Sequence, residues 1–156
     1  MLKIKIVAVG KVKEKYFSEG IAEYLKRISR FAEISVAEVK EENFSKEGEA
    51  ERKLAMKREA DRIFPELKGV VVCLAVEGKK LSSEKLSEKI GEWKQSASEI
   101  CFVIGGSYGL NETVKKRADY LLSFSDMTFP HTLMRLILTE QLYRALSISA
   151  GTGYHK

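Results

Sequence analysis

Five short apolar segments alternate along the chain with five segments of helical periodicity, and this alternation constrains the fold most. The clearest apolar run covers residues 69–76 (GVVVCLAV), in which neither face of a strand would be polar. Such a run is typical of a central strand in a parallel sheet that helices cover on both faces. The repeated β-α order predicts an α/β fold, a three-layer domain with a mostly parallel sheet.

The predicted strands cover residues 3–9, 34–39, 69–76, 99–104 and 119–124. The predicted helices cover about 14–30, 46–64, 82–93, a short segment from Asn111, and 131–149. Ser82 and Asn111 can each accept a hydrogen bond at a helix N-cap. No repeat or Pro/Gly-rich linker divides the 156 residues, so we expect residues 1–156 to form one domain, with residues 40–45 as its most exposed connection.

Several functional classes are disfavoured by composition. No apolar run approaches the roughly 20 residues that cross a bilayer, and the N-terminus lacks a signal-peptide layout, so we expect a cytoplasmic protein without a membrane partner. Cys73 and Cys101 lie inside apolar strand-like runs, which favours buried free thiols over a disulfide or a metal pair. With only two Cys and two His, no zinc-binding spacing exists, and no metal is expected.

The positive charge is concentrated near the N-terminus. The formal net charge is +5, and residues 1–15 contain five lysines against one acid. Three of them, Lys11, Lys13 and Lys15, follow the first strand closely, and we expect them to contact the phosphates of an RNA partner. Charge alone is equally compatible with a lysine-rich surface that has no such partner.

The last predicted helix is apolar on more than one face. Its apolar residues include Leu133, Leu136, Ile137, Leu142 and Ile148. A helix of this kind is buried on several sides. One side would face the sheet and another a second copy of the chain, which predicts a homodimer.

The turn from Gly105 to Gly109 (GGSYG) allows the backbone to approach a ligand closely. It is not a Walker A loop, because Leu110 and Asn111 stand where Lys and Ser or Thr are required. It is not a Rossmann fingerprint either, because it follows the fourth strand and not the first. A tight turn before a helix, without any ligand, is the remaining alternative.

A second loop at a strand end covers residues 124–129 and leads into Pro130, which begins the last helix. Its main-chain groups suit the edge of a purine, and Met127 and Phe129 could cover the face of that purine. Ordinary core packing is the alternative for these two side chains.

Four stretches together are more specific than any one alone: IGGSYG, LSFSDMTFPHTLMR, EQLYRA and the terminal GYHK. With the KIKIVAVGKVK start and the LAVEGK strand end, the whole chain resembles the ribosomal large subunit methyltransferase H family of the SPOUT superfamily. The resemblance implies an α/β fold with a C-terminal trefoil knot, a homodimer, and S-adenosyl-L-methionine as methyl donor. The implied substrate is N3 of pseudouridine 1915 in helix 69 of 23S rRNA, methylated in the large subunit or the assembled ribosome.

The resemblance also implies the cofactor-binding residues. These are Leu74 at the end of the third strand, Gly105 in the glycine turn, and the second loop with Phe124, Ser125, Asp126, Met127, Thr128 and Phe129.

Four residues are candidates for the chemistry at N3, whose proton must be removed or whose anion must be stabilised. Arg144 is permanently charged and could support that anion. His131 and His155 could accept a proton, and Tyr154 could stack on a base. Each has a structural alternative: a helix cap for His131, an ion pair with Glu140 for Arg144, and a frayed end for the tail. We expect the tail to shape the substrate site.

Two other functions fit the same features. One is a non-catalytic RNA-binding dimer that has kept the fold, and the other is a nucleotide-binding α/β protein with a different chemistry. Binding of S-adenosylmethionine, in preference to ATP or NAD, separates the methyltransferase from both.

Overall fold

The computed structural model describes residues 1–46 and 48–156, in which strands and α-helices alternate as predicted. Residue 47 of the predicted second helix lies outside the described residues. A 3₁₀ turn at Phe64–Glu66 follows the second helix. The elements are β1 (Lys3–Val9), α1 (Lys15–Ile28), β2 (Glu33–Val39), α2 (Glu49–Ile63), β3 (Val70–Lys80), α3 (Ser83–Ser96), β4 (Glu99–Ile104), α4 (Glu112–Arg117), β5 (Tyr120–Ser123) and α5 (His131–Ala150).

The predicted caps are confirmed, and one strand is longer than predicted. The Ser82 hydroxyl accepts a hydrogen bond from the Lys85 N–H at 3.1 Å, and the Asn111 side chain accepts one from the Thr113 N–H at 2.8 Å. Strand β3 continues to Lys80, because its pairing with β5 resumes at Lys79 after a shift in register. This irregular pairing was not visible in the apolar pattern, which ends at residue 76.

All strand pairs in the sheet are parallel, and the strand order is β2-β1-β4-β3-β5. The predicted mostly parallel α/β sheet is therefore confirmed. Because the strands point the same way, the carboxyl ends of β4, β3 and β5 lie side by side at one edge. The trefoil knot stays a prediction.

Helices cover both faces of the sheet, which makes three layers. On one face, Ile6 and Phe102 pack with Leu138 and Leu142 of α5, beside residues of α1 and α3. On the other face, Val7, Cys73 and Val103 pack with residues of α2 and α4. The alternation of inward and outward side chains along β1 thus supplies both cores, as the pleat of a strand requires.

Both cysteines are buried free thiols, as predicted. Burial raises the pKa of Cys73 to about 12 and that of Cys101 to about 11. Thiols with such pKa values are protonated at neutral pH and unreactive.

Helix α5 packs between α1 and α3. Ser83 Oγ donates to Gln141 Oε1 at 2.6 Å, and Ser87 Oγ donates to the Ala145 carbonyl oxygen at 2.8 Å, so α3 and α5 are tied along their length. Within residues 1–46 and 48–156, neither α5 nor any other helix is long and apolar enough to cross a membrane. Four apolar residues of α5 are only half-buried and belong to neither core: Leu133, Leu136, Ile137 and Ile148.

Two glycine substitutions test the close approach of β3 to β5. A Cβ at Gly78 would lie 2.7 Å from the carbonyl carbon and oxygen of Leu121, whereas one at Gly91 in α3 would have nothing within 4 Å. We expect Gly78→Ala to lower the free energy of unfolding by about 1–3 kcal/mol through forced backbone shifts. The matched change Gly91→Ala should raise it by about 0.5–1 kcal/mol through helix propensity. Urea unfolding measures both, and equal stability of the two variants would contradict the close approach.

Candidate functional site

A cleft of about 690 Å³ lies at the carboxyl ends of β3, β4 and β5. Three segments supply most of its lining: residues 74–77 of β3, the turn after β4, and the loop after β5 up to the start of α5. Open α/β sheets bind their ligands at this position, where neighbouring strands diverge into loops. The glycine turn, the second loop and the end of the third strand, which the sequence analysis singled out, therefore come together in one site.

The glycine turn after β4 is closed on itself. The Gly109 N–H donates to the Gly106 carbonyl oxygen at 3.0 Å, and Gly109 has a φ of +84°. A Cβ on Gly105 would lie 2.7 Å from the carbonyl carbon of Gly109. The turn can therefore form only without a side chain at Gly105, and its main chain faces the cleft.

Acidic side chains support this turn from behind, and sequence analysis missed them. Glu41 Oε1 accepts a hydrogen bond from the Ser107 hydroxyl at 2.9 Å. Glu59 is only 2% exposed and accepts one from the Glu42 N–H at 3.0 Å, and burial raises its pKa. The segment 40–45, expected to be the most exposed connection, thus holds the half-buried Glu41 against the turn. The position of Glu41 directly beyond β2, at the same sheet edge, was the available signal.

The loop after β5 is shaped by serine side chains. Ser123 Oγ donates to the Ser125 carbonyl oxygen at 3.0 Å, and Ser125 Oγ accepts from the Met127 N–H at 3.0 Å. Met127 is 70% exposed and lines the cleft, so core packing is wrong as its explanation. Phe129 is half-buried and also faces the cleft.

Most of the expected cofactor-binding residues line the cleft, and Asp126 does not. Asp126 points outward and forms an ion pair with Lys80 at 2.6 Å. Its predicted role is therefore not supported by its side chain. The residues that do line the cleft are Leu74, Gly105, Phe124, Ser125, Met127, Thr128 and Phe129.

His131 also lines the cleft, in the first turn of α5. The alternative that it caps the helix is wrong, because Pro130 is the N-cap residue and no side chain caps this end. Pro130 starts the helix, as predicted.

The other three candidate residues form a separate C-terminal cluster. Arg144 Nη2 lies 3.0 Å from Glu140 Oε2, which is the predicted i,i+4 ion pair. The Tyr154 hydroxyl donates to the same oxygen at 3.4 Å, and its ring lies 4.8 Å from the Arg144 guanidinium carbon. His155 Nδ1 lies 3.1 Å from Arg144 Nη1, and its Nε2 contacts Glu84.

These contacts define which ring nitrogen of His155 carries the hydrogen in the neutral form of the ring. A guanidinium nitrogen can only donate, so Nδ1 accepts from Arg144 and Nε2–H donates to Glu84. Both ring nitrogens are thereby engaged. The tail is packed against α3 and α5, and the alternative of a frayed end is wrong.

The cleft and the C-terminal cluster do not meet within one chain. Arg144 lies thirteen residues after His131 on α5, which is about 20 Å along the helix axis at 1.5 Å per residue. No residue of the tail lines the cleft. The four candidate catalytic residues are thus divided between the two ends of one helix.

The three candidate RNA-binding lysines are exposed at the amino end of α1. Lys11 and Lys13 lie in the connection after β1, and Lys15 begins the helix. This connection leaves the sheet at the same edge as the cleft. Among residues 1–46 and 48–156, no three His, Cys, Asp or Glu side chains are grouped as metal ligands would be.

A parallel sheet with a glycine-turn cleft at its strand ends defines the class: an α/β protein with a cleft of ligand size at the carboxyl edge of its sheet. A family model described as "Predicted SPOUT methyltransferase" matches residues 2–155. The chain belongs to the SPOUT methyltransferase family.

Two relatives agree with this assignment, and one solved structure shares the fold. The protein named "Ribosomal RNA large subunit methyltransferase H" of Streptococcus suis (strain 05ZYH33) is 46% identical, covering 99% of this chain and 100% of the relative. The protein of the same name in Streptococcus equi subsp. zooepidemicus (strain MGCS10565) is 48% identical with the same coverage. A solved structure, "a probable methylase family protein from Haemophilus influenzae Rd KW20", shares the fold at a TM-score of 0.54 and 12% identity, over 99% of this chain and 70% of that one.

The docking of the tail can be tested through one carboxyl group. The hydrogen bond from His155 holds the pKa of Glu84 below its ordinary value of 4.5. In His155→Ala we expect the pKa of Glu84 to rise towards that value, and in Lys156→Ala to stay low. Carbon NMR of the side-chain carboxyls during a pH titration measures both.

The sign of the effect on tail docking follows from this depressed pKa. A carboxyl with a lowered pKa stabilises the docked state above its ordinary pKa, and this contribution is lost as the pH falls through the depressed value. The same pKa for Glu84 with and without His155 would contradict the contact.

Proposed function

We propose that this chain is an S-adenosylmethionine-dependent methyltransferase of large-subunit rRNA, acting at N3 of the helix 69 pseudouridine. The observation that carries the proposal is the cleft built by three strand-end segments in a chain of the SPOUT methyltransferase family. The relatives' names, which specify ribosomal RNA of the large subunit, support the substrate. In this proposal residues 1–156 act as one domain in the cytoplasm.

The residues of the cleft fit the cofactor. A volume of about 690 Å³ lies within the range of roughly 300–1,000 Å³ that small-molecule sites occupy. Gly105 leaves its main chain open to a ligand, since no side chain can stand there. Leu74, Phe124 and Phe129 supply apolar walls for a purine, and the main chain of residues 124–129 supplies donors and acceptors for its edge.

When bound, S-adenosylmethionine supplies a methyl group on a positively charged sulfonium. This chain must then bring N3 of the target base into line with that methyl group and stabilise the base as N3 loses its proton. Arg144 carries a permanent charge and is oriented by Glu140 through both carboxylate oxygens, at 3.0–3.2 Å. A fixed cation of this kind stabilises the negative charge that develops on the base.

Tyr154 and His155 position Arg144 in this proposal. The Tyr154 ring packs against the guanidinium, and His155 accepts a hydrogen bond from it while donating to Glu84. Because the Nδ1 lone pair is engaged by Arg144, His155 is a positioning residue and not a free base in this arrangement. His131, which lines the cleft and has no side-chain hydrogen bond to the described part of the chain, is the candidate proton acceptor.

A homodimer would bring the two halves of the site together. The cleft and the C-terminal cluster lie about 20 Å apart along α5, so a second copy must supply the cluster to the cleft of the first. The half-buried apolar residues of α5, including Leu133 and Ile137, provide a surface for that copy. Burial of such a surface is the usual driving force for association.

The lysine-rich segment supports an RNA partner. Lys11, Lys13 and Lys15 are exposed at the sheet edge that carries the cleft. We propose that they contact phosphates of 23S rRNA, which would orient the target base towards the cleft. A non-catalytic RNA-binding dimer would share these lysines and the apolar α5, but it would not need the cleft.

Cofactor binding is the first test. S-adenosylmethionine at about 100 times its Kd should stabilise the protein by about 2.7 kcal/mol, and ATP or NAD should not. Gly105→Ala should abolish this stabilisation, because its Cβ would displace the turn at Gly109. Gly91→Ala is the matched control, and a thermal-shift assay measures all three proteins. No shift with S-adenosylmethionine, or a larger one with ATP or NAD, would overturn the proposal.

Deletion of residues 153–156 separates binding from chemistry. We expect the deletion to leave the cofactor-induced thermal shift intact and to slow methyl transfer by about 100-fold, since Arg144 loses its support. Deletion of Lys156 alone is the control and should leave both unchanged. Mass mapping of 23S rRNA, modified by each protein in a strain lacking the gene, locates the methyl group. Methylation at the wild-type rate by the protein that lacks residues 153–156 would show that the tail plays no part.

A further inference from the structure

A second cleft, of about 430 Å³, lies between the amino-terminal half of α1 and strand β2. We call it the α1–β2 cleft. It is separate from the glycine-turn cleft and shares no lining residue with it. Its walls are mainly apolar and come from the connection after β1, one face of α1, and β2: Val12, Ile21, Ala22, Leu25 and Val36.

The polar end of the α1–β2 cleft is a buried guanidinium held by a carboxylate. Arg135 is only 4% exposed; its Nη2 donates to the Gly10 carbonyl oxygen at 2.9 Å, and its Nη1 donates to Glu38 Oε2. The Glu38 side chain is nevertheless 38% exposed. Arg135 binds one carboxylate oxygen, so the second, Oε1, can accept a hydrogen bond from a ligand in the cleft.

The rim of the α1–β2 cleft is positively charged. Lys11 lines it, and Lys15 and Lys26 stand seven residues before and four residues after Ala22 on α1. Residues at these helical spacings share a face with Ala22, and so does the exposed Glu19 three residues before it, so that the three lysines leave a net positive charge there. All three lysines are exposed. A ligand would therefore find apolar walls, a carboxylate acceptor at one end and cations at the mouth.

We propose that the α1–β2 cleft binds an unpaired RNA base that carries an exocyclic amino group, namely adenine, cytosine or guanine. The flat faces of the base pack on the apolar walls, its amino group donates to Glu38, and the adjoining phosphates meet the lysines of the rim. The assignment of this base to the rRNA substrate rests on the proposed function. It would hold a neighbouring nucleotide while the target enters the other cleft.

Charge complementarity favours this occupant over the others that an apolar cleft admits. An acidic peptide would bring a carboxylate towards Glu38, and a purely apolar side chain of a second copy would leave the Glu38 oxygen without a donor. Uracil presents two carbonyl oxygens and a single N–H donor, so it meets the carboxylate less favourably than a base with an amino group. The cleft therefore predicts a preference among bases.

Fluorescently labelled hexaribonucleotides of adenine, cytosine and uracil test this preference directly by anisotropy. We expect the full-length protein to bind the adenine or the cytosine oligomer about tenfold more tightly than the uracil oligomer, as one charge-assisted hydrogen bond allows. Ala22→Leu places additional carbon in the cleft and should abolish this ratio. Ala50→Leu makes the same change at an exposed position of α2, on the other face of the sheet, and should leave it unchanged.

Glu38→Gln keeps an oxygen for Arg135 and removes the carboxylate. In this variant the ratio between the affinities for the adenine or cytosine oligomer and for the uracil oligomer should fall towards one. This ratio cancels any general change in affinity for phosphates. Glu38→Gln therefore tests the proposal even if Ala22→Leu does not fold.

Three outcomes would overturn the proposal. Equal binding of the three oligomers by the wild type is one, and an unchanged ratio in both cleft variants is the second. The third is conversion of Ala22→Leu to a smaller species in gel filtration, which would mean that a second copy fills the cleft. If the wild type shows this preference among bases but does not bind S-adenosylmethionine, only the proposed methyltransferase function is refuted.

Discussion

Parallel pairing of β4 with both β1 and β3 is the constraint on which the rest of the structure depends. Parallel neighbours cannot be joined by tight turns, so a helix must cross the sheet between them. Those crossings cover both faces, which is why Phe102 and Val103, adjacent in β4, are buried in different cores. The same direction of pairing gathers the carboxyl ends of β3, β4 and β5 at one edge, where the cleft forms.

Helix α5 connects the two groups of residues that make up the proposed active site. It begins at Pro130 beside the cleft, and its later turns carry Glu140 and Arg144. Because the helix is packed against α1, α3 and the sheet, these residues cannot move independently along it. The division of candidate residues between the two ends is therefore a rigid property of the chain, and a second copy offers the way to combine them.

The element order, the parallel sheet, both helix caps and most of the cleft were predictable from local signals. Apolar runs mark buried strands, and Ser82 and Asn111 act within one helical turn of their own positions. Those signals are short-ranged, so they do not depend on the final arrangement. The extension of β3 to Lys80 was missed, because its pairing with β5 is decided by a partner strand more than 40 residues away. The support of the glycine turn by Glu41 was missed for the same reason.

By itself, the sequence determined which segments are strands and helices and which loops lie at the ligand-binding edge. It did so because periodicity and turn residues report on local backbone preference and burial. Only the tertiary structure decided that Asp126 turns away to Lys80, that His155 has both nitrogens engaged, and that Arg135 closes a second cleft with Glu38. These outcomes depend on contacts between residues far apart in the chain, and such contacts exist only once the sheet has assembled and its helices have packed.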